Sequence, residues 1–410
     1  MDRVWGPAGE GRGPVNMGES MRYFRLTPLS PLIARDSRPF GAGQGNRVRS
    51  MDWISPSVIA GAVRTAVWKE KDTLTPEQLK TIEVHGAFPI ADEQIYFPRP
   101  LDALIRKVEK ETGIADILRI RPMARGEGLG VPMPHESLVP SAPVEMPEED
   151  FKPERSDDFW SLEAMAKWLG CEEDQRVLMR IDGLPAPVKE DRTNVTILPE
   201  SGAAEDTKLF TTTGLDFVRR PRDGESKGRL SQMRIGVRVN FGDYTLLAGR
   251  FLVPLGGERR LAETVESGDQ DKFWKAPDAL NVRSGKGLRM VLATPALFAK
   301  GWLPGWLREE HGNLTGTIPG SGVSVRLVSA VVGRWKPLSG WSYERGRNGP
   351  KALRRMVPAG SVYFFEVLEG GAELSTLWLR SVCDSAQDGR DGFGLALWGL
   401  WSGRESARCF

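Results

Sequence analysis

Three kinds of residue in this chain invite chemistry: histidines that move protons, glycines that open the backbone to an anion, and arginines set beside aromatics. The histidines, His85, His135 and His311, stand apart from cysteine and from one another, and no two have metal-ligand spacing. No Walker loop, nucleophile elbow or two-metal carboxylate cluster occurs. A lone histidine near glycine or proline is more often a loop residue than a general base. No catalytic residue, metal or cofactor is therefore expected. The inventory favours binding.

The most specific local feature is Asp388-Gly389-Arg390-Asp391-Gly392-Phe393-Gly394, set between a short helix and a strand. Closely spaced glycines let backbone N–H groups approach a phosphate, and Arg390 supplies charge. A tight turn into the strand would use the same glycines. A second candidate, residues 333–367, combines Lys336, Arg345, Lys351, Arg354 and Arg355 with Trp335, Trp341 and Tyr343. Aromatic faces stack on unpaired bases while cations follow the backbone, though a solvated loop with core-seeking tryptophans reads equally well. The third is the loop 35–50, with Arg35, Asp36, Arg38, Phe40, Arg47 and Arg49. Arg64, on the polar face of the following helix, and Arg192 complete the candidate contacts. An exposed loop in which Asp36 pairs with Arg38 is the plainer alternative.

The charge distribution suits such a role. The net charge is +2, yet residues 345–355 hold five basic residues and no acid, whereas 136–163 hold nine acids and two bases. A near-neutral chain with local basic stretches can hold a polyanion on one face. With 410 residues the chain exceeds one ordinary core. Its 46 glycines and 29 prolines point to short strands and many turns. No apolar run reaches the roughly 20 residues a membrane helix needs, so no membrane partner is expected. Cys171, Cys383 and Cys409 form no framework, which fits a reducing cytoplasm.

The elements that must position these residues follow from periodicity. Residues 1–20 are expected to be a disordered extension, with Met17 or Met21 as alternative starts. Residues 21–29 alternate as a strand. Ser55 and Pro56 then open a helix whose stripe runs through Val58, Ile59, Ala62, Val63, Ala66 and Val67. The capping-box form Thr75-Pro76-Glu77-Gln78 predicts a second helix. Leu101, Leu104, Ile105 and Val108 predict a third, stopped by Gly113. Residues 126–158 read as an acidic, proline-rich loop, and 161–169 as a helix ending at Gly170. Residues 233–241 alternate strictly, giving a half-buried strand with an open arginine face. Further strands are expected near 245–255, 288–293, 325–332, 361–367 and 393–400, with a short helix at Thr294-Pro295. The class is α+β.

In order along the chain, RDSRPFGAG (35–43), MDWISPSVIAGAVRT (51–65), RRMVPAGSVYFFEV (354–367) and DGRDGFGLALWG (388–399) resemble the third subunit of type III-B (Cmr) CRISPR complexes, a Cas-five-like branch of the RAMP proteins. The resemblance covers residues 21–400. It implies two ferredoxin-like, RRM-related domains with inserted loops, expected over 21–190 and 191–410. It also implies a thumb-like β-hairpin within 191–219, where Asn194-Val195 replaces the family's Gly-Ile. By resemblance the chain is a non-catalytic subunit holding the 5′ handle of the crRNA at the base of the complex. Its partners would be the large polymerase-like, Cas-ten-type subunit and the Cas-seven-type backbone subunit, with target RNA met indirectly. Two alternatives remain. One is a metal-independent endoribonuclease that processes precursor crRNA with His85 as base. The other is a structural adaptor using Trp302 and Trp306.

Overall fold

The computed structural model describes residues 21–37, 46–109, 111–123, 132–143, 151–154, 157–170, 176–219, 230–244, 249–268, 271–281, 285–342, 349–371 and 373–403. The expectations on residues 1–20, Arg38, Phe40, Tyr343 and Arg345 lie outside them.

The first strand, Arg22–Pro28, buries Phe24 and Leu26 on one side, as its alternation requires. The helix Pro56–Glu70 begins with Pro56 in its first turn and buries Ile59, Ala60, Ala62, Val63, Ala66 and Val67. That stripe packs with Leu26, Val84, Ile235 and Val237 in one core. The strands Glu83–Ala91, Arg234–Asn240, Arg22–Pro28 and Leu261–Glu266 lie side by side in that order, each pair antiparallel. They form the centre of an eight-stranded sheet. A seven-stranded sheet follows, centred on Ser324–Val331, Val362–Glu369, Gly287–Leu292 and Leu395–Leu400. Counted along the chain, both centres run second, third, first, fourth.

A single buried cluster joins the two sheets. Phe88, Ile90, Phe97 and Trp160 come from the first, Val291, Phe364 and Leu397 from the second, and Trp168 from the helix Leu162–Gly170. The second sheet's other face packs Leu288, Met290, Leu327 and Phe365. The fold is mixed α+β, mostly strands with few helices. No helix among the described residues is long and apolar enough to cross a membrane.

Several expected elements differ. Residues 101–108 are not helical. Ala103–Val108 is a strand paired with Ile114–Pro122 across a turn where Gly113 has φ +69°. Its short apolar run fits either period, and Ala103 and Ile105 are buried two residues apart. Thr294-Pro295 opens no helix either. The Thr294 hydroxyl donates to the Gly392 carbonyl at 2.8 Å and accepts from Leu395 N–H at 2.9 Å, while Ala296 bridges to Val357. The capping box at Thr75 forms, with both reciprocal hydrogen bonds, but its helix Pro76–Leu79 is a single turn. The strand Arg234–Asn240, expected in the second region, pairs within the first sheet, and its arginine face is open at Arg234, which pairs with Glu93, but closed at Arg238. Arg238 donates to the Leu379 carbonyl at 3.1 Å and His85 Nδ1 at 3.2 Å, because the second half covers it. Val188–Ile197 and Ala204–Asp216 form one long antiparallel hairpin, and Asn46–Val48 adds in parallel to its second strand.

Candidate nucleic-acid interface

The glycine-rich turn sits where the two halves meet. Gly392 and Gly394 have φ of +87° and +67°, which an L side chain rarely adopts. A Cβ at Gly392 would stand 2.6 Å from the Val84 carbonyl oxygen of the first sheet. The turn's amides are already donated. Gly389 N–H reaches Ser385 O (3.1 Å), Asp391 reaches Gln387 O (2.9 Å) and Gly392 reaches Gly389 O (2.9 Å). Phe393 N–H reaches Asp388 O at 3.0 Å and Gly394 reaches Pro295 O at 2.8 Å. Phe393 itself is buried against Leu297 and Met356.

The arginines around this turn are committed to it. Both terminal nitrogens of Arg354 donate to the Asp388 carboxylate at 2.6 Å, and Asp388 is buried. Arg64 donates to Asp391 Oδ1 at 2.6 Å and to the Ile82 carbonyl at 2.8 Å. Arg390 donates to Gln387 Oε1 at 3.1 Å. The turn is thus a joint, with one guanidinium from each half clamped on its carboxylates.

The basic aromatic segment folds as a two-part ribbon. Lys336–Leu338 pairs with Arg354–Met356, and Trp341–Ser342 pairs with Gly349–Pro350. Trp335 and Trp341 are 48% and 54% exposed, and Lys351, Arg354 and Arg355 are exposed beside them. The Arg355 guanidinium carbon lies 5.1 Å from the Trp335 ring centroid. Unlike the turn, this ribbon offers indole faces and cations to solvent.

The third candidate borders the ribbon's base. Arg35 bridges to Ser50, and Asp36 N–H donates to the Arg49 carbonyl at 2.9 Å, so the two limbs of that loop run antiparallel. Arg35, Arg47 and Arg49 are exposed. Arg47 pairs with Asp191 of the long hairpin, and Arg192 donates to Glu190 at 2.6 Å. Asp52 ties this region together. It accepts from Lys189 at 2.7 Å and Lys336 at 2.9 Å. Burial raises its pKa, but the two ammonium groups outweigh that and lower it from 3.8 to about 2. A cavity of 220 Å³ behind it is lined by Trp53, Phe88, Pro295 and Lys336. The structure therefore gathers loop, long hairpin and ribbon at one place. Asp52 and Lys189 went unnoticed in the sequence because no spacing relates positions 52, 189 and 336.

His85 lies between the sheets. Burial, then the charge of Arg238, push its pKa down to about 3. Among the described residues no group of three or more metal-ligating side chains occurs.

A family described as CRISPR-associated protein (Cas_Cmr3) matches residues 24–401. No curated protein matches the chain. Among solved structures, it is similar to a chain in a cryo-EM structure of type III-B Cmr-beta bound to cognate target RNA. That likeness has 13% identity over 84% of this chain and 86% of the other, with a TM-score of 0.42. A second such structure, with target RNA and AMPPnP, gives 14% identity, the same coverage and a TM-score of 0.41.

Proposed function

The chain belongs to the CRISPR-associated Cas_Cmr3 family, and from that premise we propose that it is a crRNA-binding, non-catalytic subunit of a type III-B Cmr effector complex that holds the guide's 5′ handle. The observation that carries this reading is the ribbon, where Arg355 lies over Trp335 and where Trp341 and Lys351 reach solvent. Exposed indoles stack on unpaired bases, and neighbouring cations neutralise phosphates. Arg35, Arg47 and Arg49 extend the basic surface from the adjoining loop. The ferredoxin-like reading is supported by the strand order that the two sheet centres share. The Cas-ten-type and Cas-seven-type subunits are its proposed neighbours.

Binding of repeat-derived RNA against salt tests this. Lys351→Ala and Arg355→Ala should each lower the slope of log affinity against log salt by about 0.7. Trp341→Ala should weaken binding by about 1–3 kcal/mol. Unchanged slopes and unchanged affinity in all three would refute the assignment.

The endoribonuclease alternative finds little support at His85. A ring with a pKa of about 3, hydrogen-bonded to Arg238, is a feeble base at neutral pH.

A further inference from the structure

On the flank of the ribbon lies a second cavity, of 310 Å³, lined by Lys300, Trp302, Arg334, Trp335 and Arg355 together with small and apolar residues. Three cations and two indoles share this lining, and no carboxylate is among its described residues. The size is at the lower end of small-ligand sites. Three backbone stretches, 300–302, 332–335 and 355–357, build it, and they are held in place. The 298–303 loop makes the bridges Phe298–Gly301 and Lys300–Leu303, with Gly301 at φ +78°. Asp384 accepts Ala299 N–H at 2.8 Å and Gly305 N–H at 2.7 Å, so that carboxylate is spent on the loop's own amides. The Tyr363 hydroxyl donates to the Trp302 carbonyl at 2.5 Å. On the other side, Gly333 lies close on Pro358, where a Cβ would meet the ring at 2.7 Å.

We propose that this cavity binds a single ribonucleotide unit, its base against Trp335 and its phosphate held by Lys300, Arg334 and Arg355. A planar aromatic ligand is called for because Trp335 presents a half-exposed face already polarised by Arg355 at 5.1 Å. An anion is called for because three cations converge with no acid in the lining to neutralise them. A base with an attached phosphate meets both demands. The proposal rests on the RNA-binding reading only in supposing that the unit belongs to a bound strand rather than a free mononucleotide.

Titration of the full chain with AMP, adenosine and inorganic phosphate, followed by tryptophan fluorescence, tests it. AMP should bind at least about 10-fold more tightly than either part. Trp335→Ala should weaken AMP about 10-fold, in line with the stacking of one base, and Trp335→Phe should restore most of that loss; Lys300→Ala should weaken AMP about 10-fold through the lost phosphate contact. Trp341→Ala and Lys351→Ala should leave AMP binding unchanged. AMP no tighter than phosphate, or indifference to Trp335→Ala, overturns the site. Displacement of AMP by repeat RNA assigns the unit to a bound strand, whereas simultaneous binding assigns it to a free mononucleotide. If RNA binding stays sensitive to Trp341 and Lys351 while AMP fails to bind, only this inference falls. If AMP binds while those variants leave RNA affinity intact, only the earlier reading falls.

Discussion

Asp52 and His85 show how position sets what a side chain contributes. Asp52 joins Lys189 of the long hairpin to Lys336 of the ribbon, and its lowered pKa of about 2 means the folded state favours the carboxylate. Its stabilisation is whole above about pH 4 and fades as pH falls towards 2. The group is 60% exposed, so solvent screens the pairs, and Asp52→Asn should cost no more than about 1 kcal/mol by urea unfolding at neutral pH. His85 acts over a different range. Its pKa, about 3 in the fold, lies below the usual 6.5, so the unfolded chain takes up the proton first. The neutral ring's contribution is complete above pH 6.5 and is lost as pH drops towards 3. Between pH 7.5 and 5.0 the protein should lose up to about 2 kcal/mol through this ring, at 1.36 kcal/mol per unit. His85→Gln should flatten that part of the stability–pH curve. An unaltered curve in the variant would show that the ring is not held neutral.

The glycine-rich turn separates an element's shape from its employment. Its glycines were legible as a sharp turn into a strand, and a turn is what forms. Which partner its amides choose was not legible, because Ser385 and Gln387 carbonyls serve them as a short helix turn that the glycines did not announce, and the Pro295 carbonyl comes from about a hundred residues away. Gly392→Ala should destabilise the protein by about 2–3 kcal/mol, from backbone strain at φ +87° and from contact with the Val84 carbonyl. RNA affinity of the folded fraction should hold. Hydrogen exchange of the Gly392–Gly394 amides with and without repeat RNA checks this directly: protection that rises on binding would return the phosphate to the turn. Elsewhere, long patterns read well. The stripe from Ile59 to Val67 appears as expected, and around Val237 the apolar positions face the core although Arg238 on the other face is covered. Short ones failed, as at residues 101–108, where four apolar positions fit both periods and the pairing strand Ile114–Pro122 decided the outcome. The same limit applies to Arg64 and Arg354. Their charge suggested phosphate, but Asp391 and Asp388 lie 327 and 34 residues away in the chain and claim them.

At the scale of the whole molecule, polar contacts also tie the second sheet to the smaller four-stranded sheet that holds Ala103–Val108 and Ile114–Pro122. Asp102, with its side chain fully buried, accepts from Arg289 Nη1 at 2.9 Å and from Trp168 Nε1 at 2.9 Å. Arg289 belongs to the second sheet, and its other terminal nitrogen donates to the Trp168 carbonyl at 2.7 Å. Arg119 joins from the strand Ile114–Pro122, its guanidinium carbon 3.8 Å from the Trp168 ring centroid. The buried Arg289 guanidinium thus depends on this carboxylate, and both guanidinium groups pack on the Trp168 indole and donate to its carbonyl. Removing the carboxylate strands Arg289 in a site where 1% of its side chain meets water. Asp102→Ala should therefore cost about 3–5 kcal/mol, whereas the paired change Asp102→Leu with Arg289→Met should recover most of it, since an apolar pair needs no counter-charge. Urea unfolding followed by tryptophan fluorescence and by far-UV circular dichroism distinguishes the cases. Because the core runs unbroken from Phe88 to Phe364, the two probes should report one coincident transition in the unmodified chain. A cost below about 1 kcal/mol for Asp102→Ala would mean that water reaches Arg289 and that packing alone holds the second sheet against the strands around Asp102.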